Sequence, residues 1–378
     1  MLKKTILLVL LFASCAGPAF SYQEEPAYKE EYVKANVLDV KASSSTDSAV
    51  RGISQNVTIK ITSGKYKGET AKIEHIAAGG MMGRDIVLKK GDNIVVYVND
   101  QPTKAESSSG APAFNVADYA RENPVYLMAF LYVLVLLVFG GMKGLKSLIG
   151  LVLTIVIIFA LLFPLTLKGY NPLLVSVLVS AIVSLVVFYI VAGRTRKSLS
   201  AAVGTVLGVA IAGLLAFIFG KLAYLSGLSS EESKLLLYSM NIKIDYEGLL
   251  FGSILIGALG AVMDVGISIA SSVEEVRKVH PEANFKNLFS CGMNVGRDIM
   301  GTMSNTLILA YTGSALPLLL LFFANQISMV KIMNFELVAE ESIRALAGSI
   351  GLVCCIPITA FVSAFLNSAD RKVSRPGF

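Results

Sequence analysis

The chain has 378 residues, of which 54% are hydrophobic and only 16% charged, with a mean hydropathy of +0.66; this balance excludes an ordinary soluble protein and assigns most of the chain to lipid. The formal charge of +6 does not point to nucleic acid: residues 22–124 carry 13 basic and 14 acidic side chains, residues 125–378 carry 18 and 13, and the excess sits in short connections beside apolar runs, where it reports topology.

The N-terminus has Lys3 and Lys4, an apolar run over residues 5–13 and a small-residue region ending Ala19-Phe20-Ser21. That is the layout of a cleavable signal peptide, residues 1–21. Cys15, behind Phe12-Ala13-Ser14, offers a lipoprotein site as the alternative. The remaining cysteines, Cys291, Cys354 and Cys355, all fall in the apolar half, so the exported part has no disulfide pair.

Residues 22–110 read as an extracytoplasmic β-rich domain and its linker. Short alternating segments at 32–40, 57–61, 70–76 and 86–98 are separated by Ser63-Gly64, Gly68 and Gly91-Asp92. A small β-barrel of OB or SH3 type would close the sheet edges, and the pattern does not choose between them. The stretch Ala77-Ala78-Gly79-Gly80-Met81-Met82-Gly83-Arg84 lacks the Gly-Lys-Ser/Thr of a phosphate loop and reads as a hairpin tip. His75, with no Cys or His beside it, reads as a barrel surface residue rather than a metal ligand. Residues 101–111, rich in Ser, Pro, Gly and charge, read as a linker.

Residues 111–378 read as an α-helical polytopic membrane domain. A hydrocarbon core about 30 Å thick needs around 20 apolar residues per helix, and segments 125–142, 147–166, 172–192, 199–222, 248–271, 299–323 and 345–367 qualify as seven spans. Twelve basic residues, among them Lys143, Arg194, Lys197, Arg277 and Arg371, then fall on the cytoplasmic side, against six outside, including Arg344. This bias agrees with an exported N-terminus and a cytoplasmic C-terminus. Gly204 and Gly208 form a Gly-x-x-x-Gly pair suited to close helix packing, and the outer connection 225–247, with Glu231, Glu232 and Asp245, reads as a solvated loop.

Two polar stripes interrupt the apolar pattern. Asp264, Ser268, Ser271 and Glu275 share one helical face, and Asn294, Asp298, Gly301 and Asn305 repeat that spacing one segment later. A carboxylate at the centre of a membrane helix costs about 2.5–3.5 kcal/mol on insertion scales, so Asp264 needs a partner or a task. Facing stripes of carboxylates and amides would offer oxygen ligands to a hard cation or a relay for protons. The competing reading is an ion pair of Arg297 with Asp264 or Asp298 that locks the bundle. Residues 291–298 are too polar for a clean span and suggest a re-entrant or interfacial helix leading into the sixth. No Ser/His/Asp arrangement, zinc spacing, dinucleotide fingerprint or intramembrane aspartyl-protease signature is present, so no enzyme of these kinds is expected, and the cofactor and any metal are left unknown.

The order of parts, with Gly257-Ala258-Leu259-Gly260-Ala261-Val262-Met263-Asp264 and Gly296-Arg297-Asp298-Ile299-Met300-Gly301-Thr302-Met303-Ser304-Asn305-Thr306-Leu307, resembles the YibE/F-like family of bacterial multi-spanning membrane proteins. The resemblance runs from about Tyr32 to Asn367 and implies architecture and membrane location without implying a reaction. The leading expectation is a transporter or exporter of a small solute or cation working through the two stripes. The alternative is a non-transporting membrane factor whose β domain binds a protein partner or an envelope component. Beyond the lipid bilayer no partner is specified, and oligomeric state is open.

Overall fold

The computed structural model describes residues 31–43, 52–78, 86–99, 112–239 and 244–368. The signal-peptide segment with Cys15, the glycine-rich tip from Gly79 to Arg84, the linker at 101–111 and the basic tail with Arg371, Lys372 and Arg375 lie outside the described residues. The described residues form two compact units, divided between Val135 and Leu136.

In the first unit, strands β1 (Glu31–Ser43), β2 (Gly52–Ile61), β3 (Thr70–Ala78), β4 (Asn93–Asn99) and β5 (Ala113–Tyr119) make one sheet in the order β3-β2-β1-β4-β5. Every neighbouring pair is antiparallel. Strict alternation turns Val33, Ala35 and Val37 of β1 inward, with Val57, Ile59 and Ile61 of β2 and Ile94, Val96 and Val98 of β4. Register shifts at Val37/Asp39 and Val95/Val96 bend the sheet, and it curls into a half-barrel. β5 was not legible as a strand; it lies past residue 110, where composition suggests only linker and membrane helix.

Residues 86–89 cover the open side of the half-barrel. Leu88 is 2% exposed, and the buried Gln55 side chain fixes it from β2: Gln55 Nε2 donates to the Leu88 carbonyl at 3.0 Å while the Leu88 N–H donates to Gln55 Oε1 at 2.9 Å. The Tyr119 hydroxyl donates to the Val87 carbonyl at 2.7 Å, and burial, followed by the Asp92 carboxylate, holds its phenol above the ordinary value. His75, read from sequence as a surface residue, is half-buried and spends Nε2 on the Ile86 carbonyl at 2.7 Å.

The rest of the described chain is helical, and the division between the units falls inside its first long helix, whose residues up to Val135 belong to the first unit. α1 (Glu122–Leu167), α2 (Pro172–Ala192), α3 (Arg196–Leu222), α5 (Tyr246–Val279) and α9 (Glu336–Ser368) are each long and apolar enough to cross a membrane. The pair α6 (Phe285–Ser314) and α7 (Leu316–Ala324), bent by 61° at their junction, makes a sixth if counted as one span. Short helices α4 (Glu231–Ser239) and α8 (Met329–Met333) complete the set. Side-chain caps start four of them: Asn171 for α2, Thr195 for α3, Asp245 for α5 and Asn284 for α6.

Three boundaries differ from the sequence expectation. α1 covers both of the first two expected segments, but Gly141 inside it has φ 51° and ψ −132°, which no helix contains. Residues 291–298 belong to the uninterrupted α6, so the expected separate re-entrant helix is replaced by one 30-residue helix whose break comes after Ser314; Pro317 in the first turn of α7 has no N–H to continue the ladder. α9 starts at Glu336, nine residues before the expected span, because the acidic and basic residues there pair along the helix instead of staying in a loop. The connection 225–247, read as a solvated loop, is tied to α9: Ser226 donates to Glu336 at 2.7 Å and the Ser229 hydroxyl donates to Glu340.

α5 forms the centre, with Phe251, Ile254, Leu255, Ala258, Val262, Val265 and Ile269 at most 1% exposed. α3 and α9 pack beside it through small residues. A Cβ on Gly208 would lie 2.9 Å from the Gly351 carbonyl oxygen, and one on Gly351 would lie 2.6 Å from the Gly208 carbonyl oxygen and 2.7 Å from the Ala212 Cβ. Both directions end on backbone, which has nowhere to move. Gly204 is closed by the Thr359 side chain, so the Gly-x-x-x-Gly pair serves close packing.

Two outcomes check this picture. Gly208→Leu is expected to lower the stability of the purified protein by about 1–3 kcal/mol through overpacking, read as a fall in Tm, while Gly313→Ala, where a Cβ meets nothing within 4 Å, leaves Tm unchanged or slightly raised. Gln55→Leu leaves the buried Leu88 N–H and carbonyl unpaired, a cost of about 1–3 kcal/mol; hydrogen exchange on the full-length protein should then quicken in peptides covering residues 86–89 and stay unchanged in the helices.

Candidate functional site

The sequence of α5 places a narrow polar seam on an otherwise buried helix. Ser253, Gly257, Gly260, Asp264, Ser268 and Glu275 recur at three- to seven-residue intervals and are all exposed, while Ser271 is half-buried at the edge. The seam is flanked on one side by α2, where Gly252 meets Ser176 and Pro172, and on the other by α6, where a Cβ on Gly257 would lie 2.7 Å from the Tyr311 hydroxyl. From Ser253 to Glu275 the seam is about 33 Å long at 1.5 Å per residue.

The two stripes do not face one another as the sequence suggests. α6 meets α5 and α9 through its glycine face: a Cβ on Gly292 would lie 3.1 Å from Val273 and 2.9 Å from Ala360, and one on Gly296 3.4 Å from Ile269. The helical repeat then carries Asn294, Asp298, Gly301 and Asn305 around to the opposite, exposed side. Small residues win the interface because they let the backbones approach, and the polar stripe points away from the bundle as a consequence.

Partners within the chain sort the expected site residues. The hydroxyls of Ser268 and Ser271 donate to the Asp264 and Ile267 carbonyls of their own helix, at 2.7 and 2.6 Å, so their protons are committed to the backbone. Glu275 pairs with Lys278 at 2.8 Å, and Glu274 lies 3.8 Å from Lys197. The ion pair expected between Arg297 and Asp264 or Asp298 is not formed: among the described residues none of the three has an ion-pair partner. No group of three or more His, Cys, Asp or Glu gathers for a metal ion among the described residues.

One charged cluster escaped the sequence reading. At the start of α9, Arg344 Nη2 lies 2.8 Å from Glu340 Oε1 and Nε 3.5 Å from Glu341 Oε1, with side-chain exposures of 16%, 10% and 31%. Arg344 Nη1 also donates to Ser253 Oγ at 3.0 Å, which joins the cluster to one end of the α5 seam. Two carboxylates share one guanidinium, and Glu341 Oε2 and Arg344 Nε are buried without a hydrogen-bond partner. A cavity of about 310 Å³ between α6, α7 and α9 opens beside them, lined by Tyr311, Thr312, Leu318, Glu341 and Ser342 among others. The signal was present as Glu340/Arg344 and Glu341/Arg344 at i,i+4 and i,i+3; a hydropathy window begun at residue 345 passed over it.

Removing one member of a buried ion cluster strands the others, at about 3–5 kcal/mol. Arg344→Met is therefore expected to cut the yield of folded protein sharply, whereas combining it with Glu340→Gln and Glu341→Gln restores much of that yield by size-exclusion chromatography in detergent.

Among known proteins, no curated protein and no solved structure matches this chain. A family model described as YibE/F-like protein matches residues 128–369, which takes in α5, α6, α9 and every charged group of the seam. The match covers well over half of the sequence, and the chain belongs to the YibE/F-like protein family.

Proposed function

We propose that this protein is a multi-pass cell-membrane transporter or exporter for a small solute or cation. The substrate moves along the α5 seam. One observation carries the reading: a line of small and polar residues, about as long as the hydrocarbon core is thick, runs from the Arg344 cluster at Ser253 past Asp264 to the Glu274 and Glu275 pairs at the far end. Polar groups at that depth mark ion and substrate paths more often than they mark packing.

In this reading the chain crosses the bilayer seven times. Gly141 divides α1 into two crossings, and α6 with α7 makes one bent crossing. The β unit is extracytoplasmic and the C-terminus cytoplasmic, which agrees with the basic residues near Lys143, Arg194 and Arg277. Gly260, where a Cβ would meet nothing within 4 Å, leaves room for a passing solute, and Asp264 is the charge it meets midway. The Arg344 cluster guards the outer end, where Glu340 and Glu341 share one guanidinium and their carboxyl oxygens suit a cation.

A second reading, a membrane factor acting through its β unit, draws on a polar hollow of about 640 Å³ lined by Asp39, Lys41, Asn56, Thr58, Lys72 and Glu74 on β1–β3. The distinguishing experiment compares wild type and Asp264→Asn in sealed proteoliposomes against a panel of radiolabelled or fluorescently reported cations and metabolites. A flux present in wild type and reduced at least tenfold in Asp264→Asn, with unchanged Tm, supports the seam. Equal flux in the two proteins, or none in either, overturns the role of Asp264 and favours the second reading.

A further inference from the structure

α6 presents its most polar face to the outside of the single chain. Its buried residues, Leu288, Gly292, Gly296 and Leu307, mark one side of the helix. The diametrically opposite side carries Asn287, Asn294, Asp298, Gly301, Asn305 and Thr312, all exposed. This is not an interfacial helix lying flat on a membrane. Gly292 is beside Val273 and Ala360, Gly296 beside Ile269 and Ile356, and Tyr311 beside Gly257, so α6 runs antiparallel to α5 and α9 along their length and shares their depth. On the reading that this unit spans the bilayer, its outward face would put the carboxamides of Asn294 and Asn305, the Asp298 carboxylate and the flanking Arg297 guanidinium into hydrocarbon, at about 2.5–3.5 kcal/mol for each charge near the centre.

Something polar has to cover it, and the chain's own spare apolar surface does not suit. The helix from Val125 to Phe139, heavily exposed, offers Val, Leu, Met, Phe and Tyr and no charge. A second α6 does suit. Asn287, Asn294 and Gly301 recur every seven residues, the spacing of a seam between two helices, and a Cβ on Gly301 would meet nothing within 4 Å, which leaves space for close approach. Arg297 and Asp298 are consecutive, hence about 100° apart around the helix, and they fall on opposite flanks of the Asn294–Gly301 line. A two-fold axis parallel to α6 puts the positive flank of one helix against the negative flank of the other at nearly the same height, twice over.

We infer that the Asn294–Asn305 face of α6 is a homodimer interface within the membrane, in which Arg297 of each copy pairs with Asp298 of the other. The interface is isologous, so one patch serves both partners. The inference requires membrane insertion but is independent of transport.

The test uses full-length chains carrying two different affinity tags, co-expressed and extracted in a mild detergent. Wild-type copies are expected to co-purify. Arg297→Asp and Asp298→Arg, each paired with itself under the two tags, place like charges opposite one another and should co-purify at least tenfold less. Arg297→Asp co-expressed with Asp298→Arg restores both attractive contacts and should return to the wild-type level, a rescue that misfolding of either variant would not give. In parallel, oxidation in native membranes should produce disulfide-linked dimers from Asn294→Cys and Gly301→Cys in a background lacking the native cysteines, and none from Leu346→Cys on the exposed face of α9. Co-purification indifferent to the charge changes, failure of the mixed pair to recover, a single-chain mass in nanodiscs, or a different protein held on this face would each overturn the inference.

Discussion

At Gly208 and Gly351 the backbones of α3 and α9 approach until a methyl group has no room on either side, and α5 is held in the angle they make. Between helices in lipid there is little hydrophobic driving force, so contact energy comes from dispersion at short range, and short range requires small side chains. Gly213 against Leu255 and Gly266 against Ala201 and Thr205 extend the same contact along α5. With α3 and α9 so close, α2 and α6 are left to flank the remaining perimeter, and one narrow strip of α5 is uncovered. That strip holds Asp264.

The placement of polar groups follows from this packing. Serines and threonines within the bundle mostly satisfy themselves on the preceding turn of their own helix, as Ser184, Ser200, Ser268 and Ser271 do. Paired charges within the described helices occur in two settings. Those at helix ends, such as Glu247 with Lys221 or Glu275 with Lys278, are paired in the open. Arg344 with Glu340 and Glu341 is paired and mostly enclosed. Asp264, Arg297 and Asp298 belong to neither group, and all three are exposed. A single chain thus leaves its most expensive groups uncompensated, and compensation has to come from a solute, from water, or from another copy.

Much of the architecture was legible because it depends on period and length. Apolar runs gave the long helices, alternation gave β1 to β4, and the spacing of Asp264 and Asp298 gave two real helical faces. What escaped depends on neighbours far away in sequence. Nothing local says that Gly292 and Gly296, rather than Asn294 and Asp298, will face α5. Both patterns repeat every three to four residues, and close backbone approach decides between them. The Arg344 cluster escaped because hydropathy averages over a window, whereas pairing at i,i+4 cancels charges individually. β5 escaped because Phe114, Val116 and Tyr119 are only partly buried and its alternation is weak.

Gln55 leaves the half-barrel with two separate cohesive systems. The sheet is held by four ladders that share their load over more than twenty residue pairs. The seam between β3 and β5 is closed by one amide holding one leucine, with Tyr119 and His75 as outriggers. Releasing that clasp would cost a few hydrogen bonds and one buried side chain, far less than unzipping any strand, so the lowest-cost way to expose the interior around Ile59 and Ile94 runs through Gln55 rather than through the ladders.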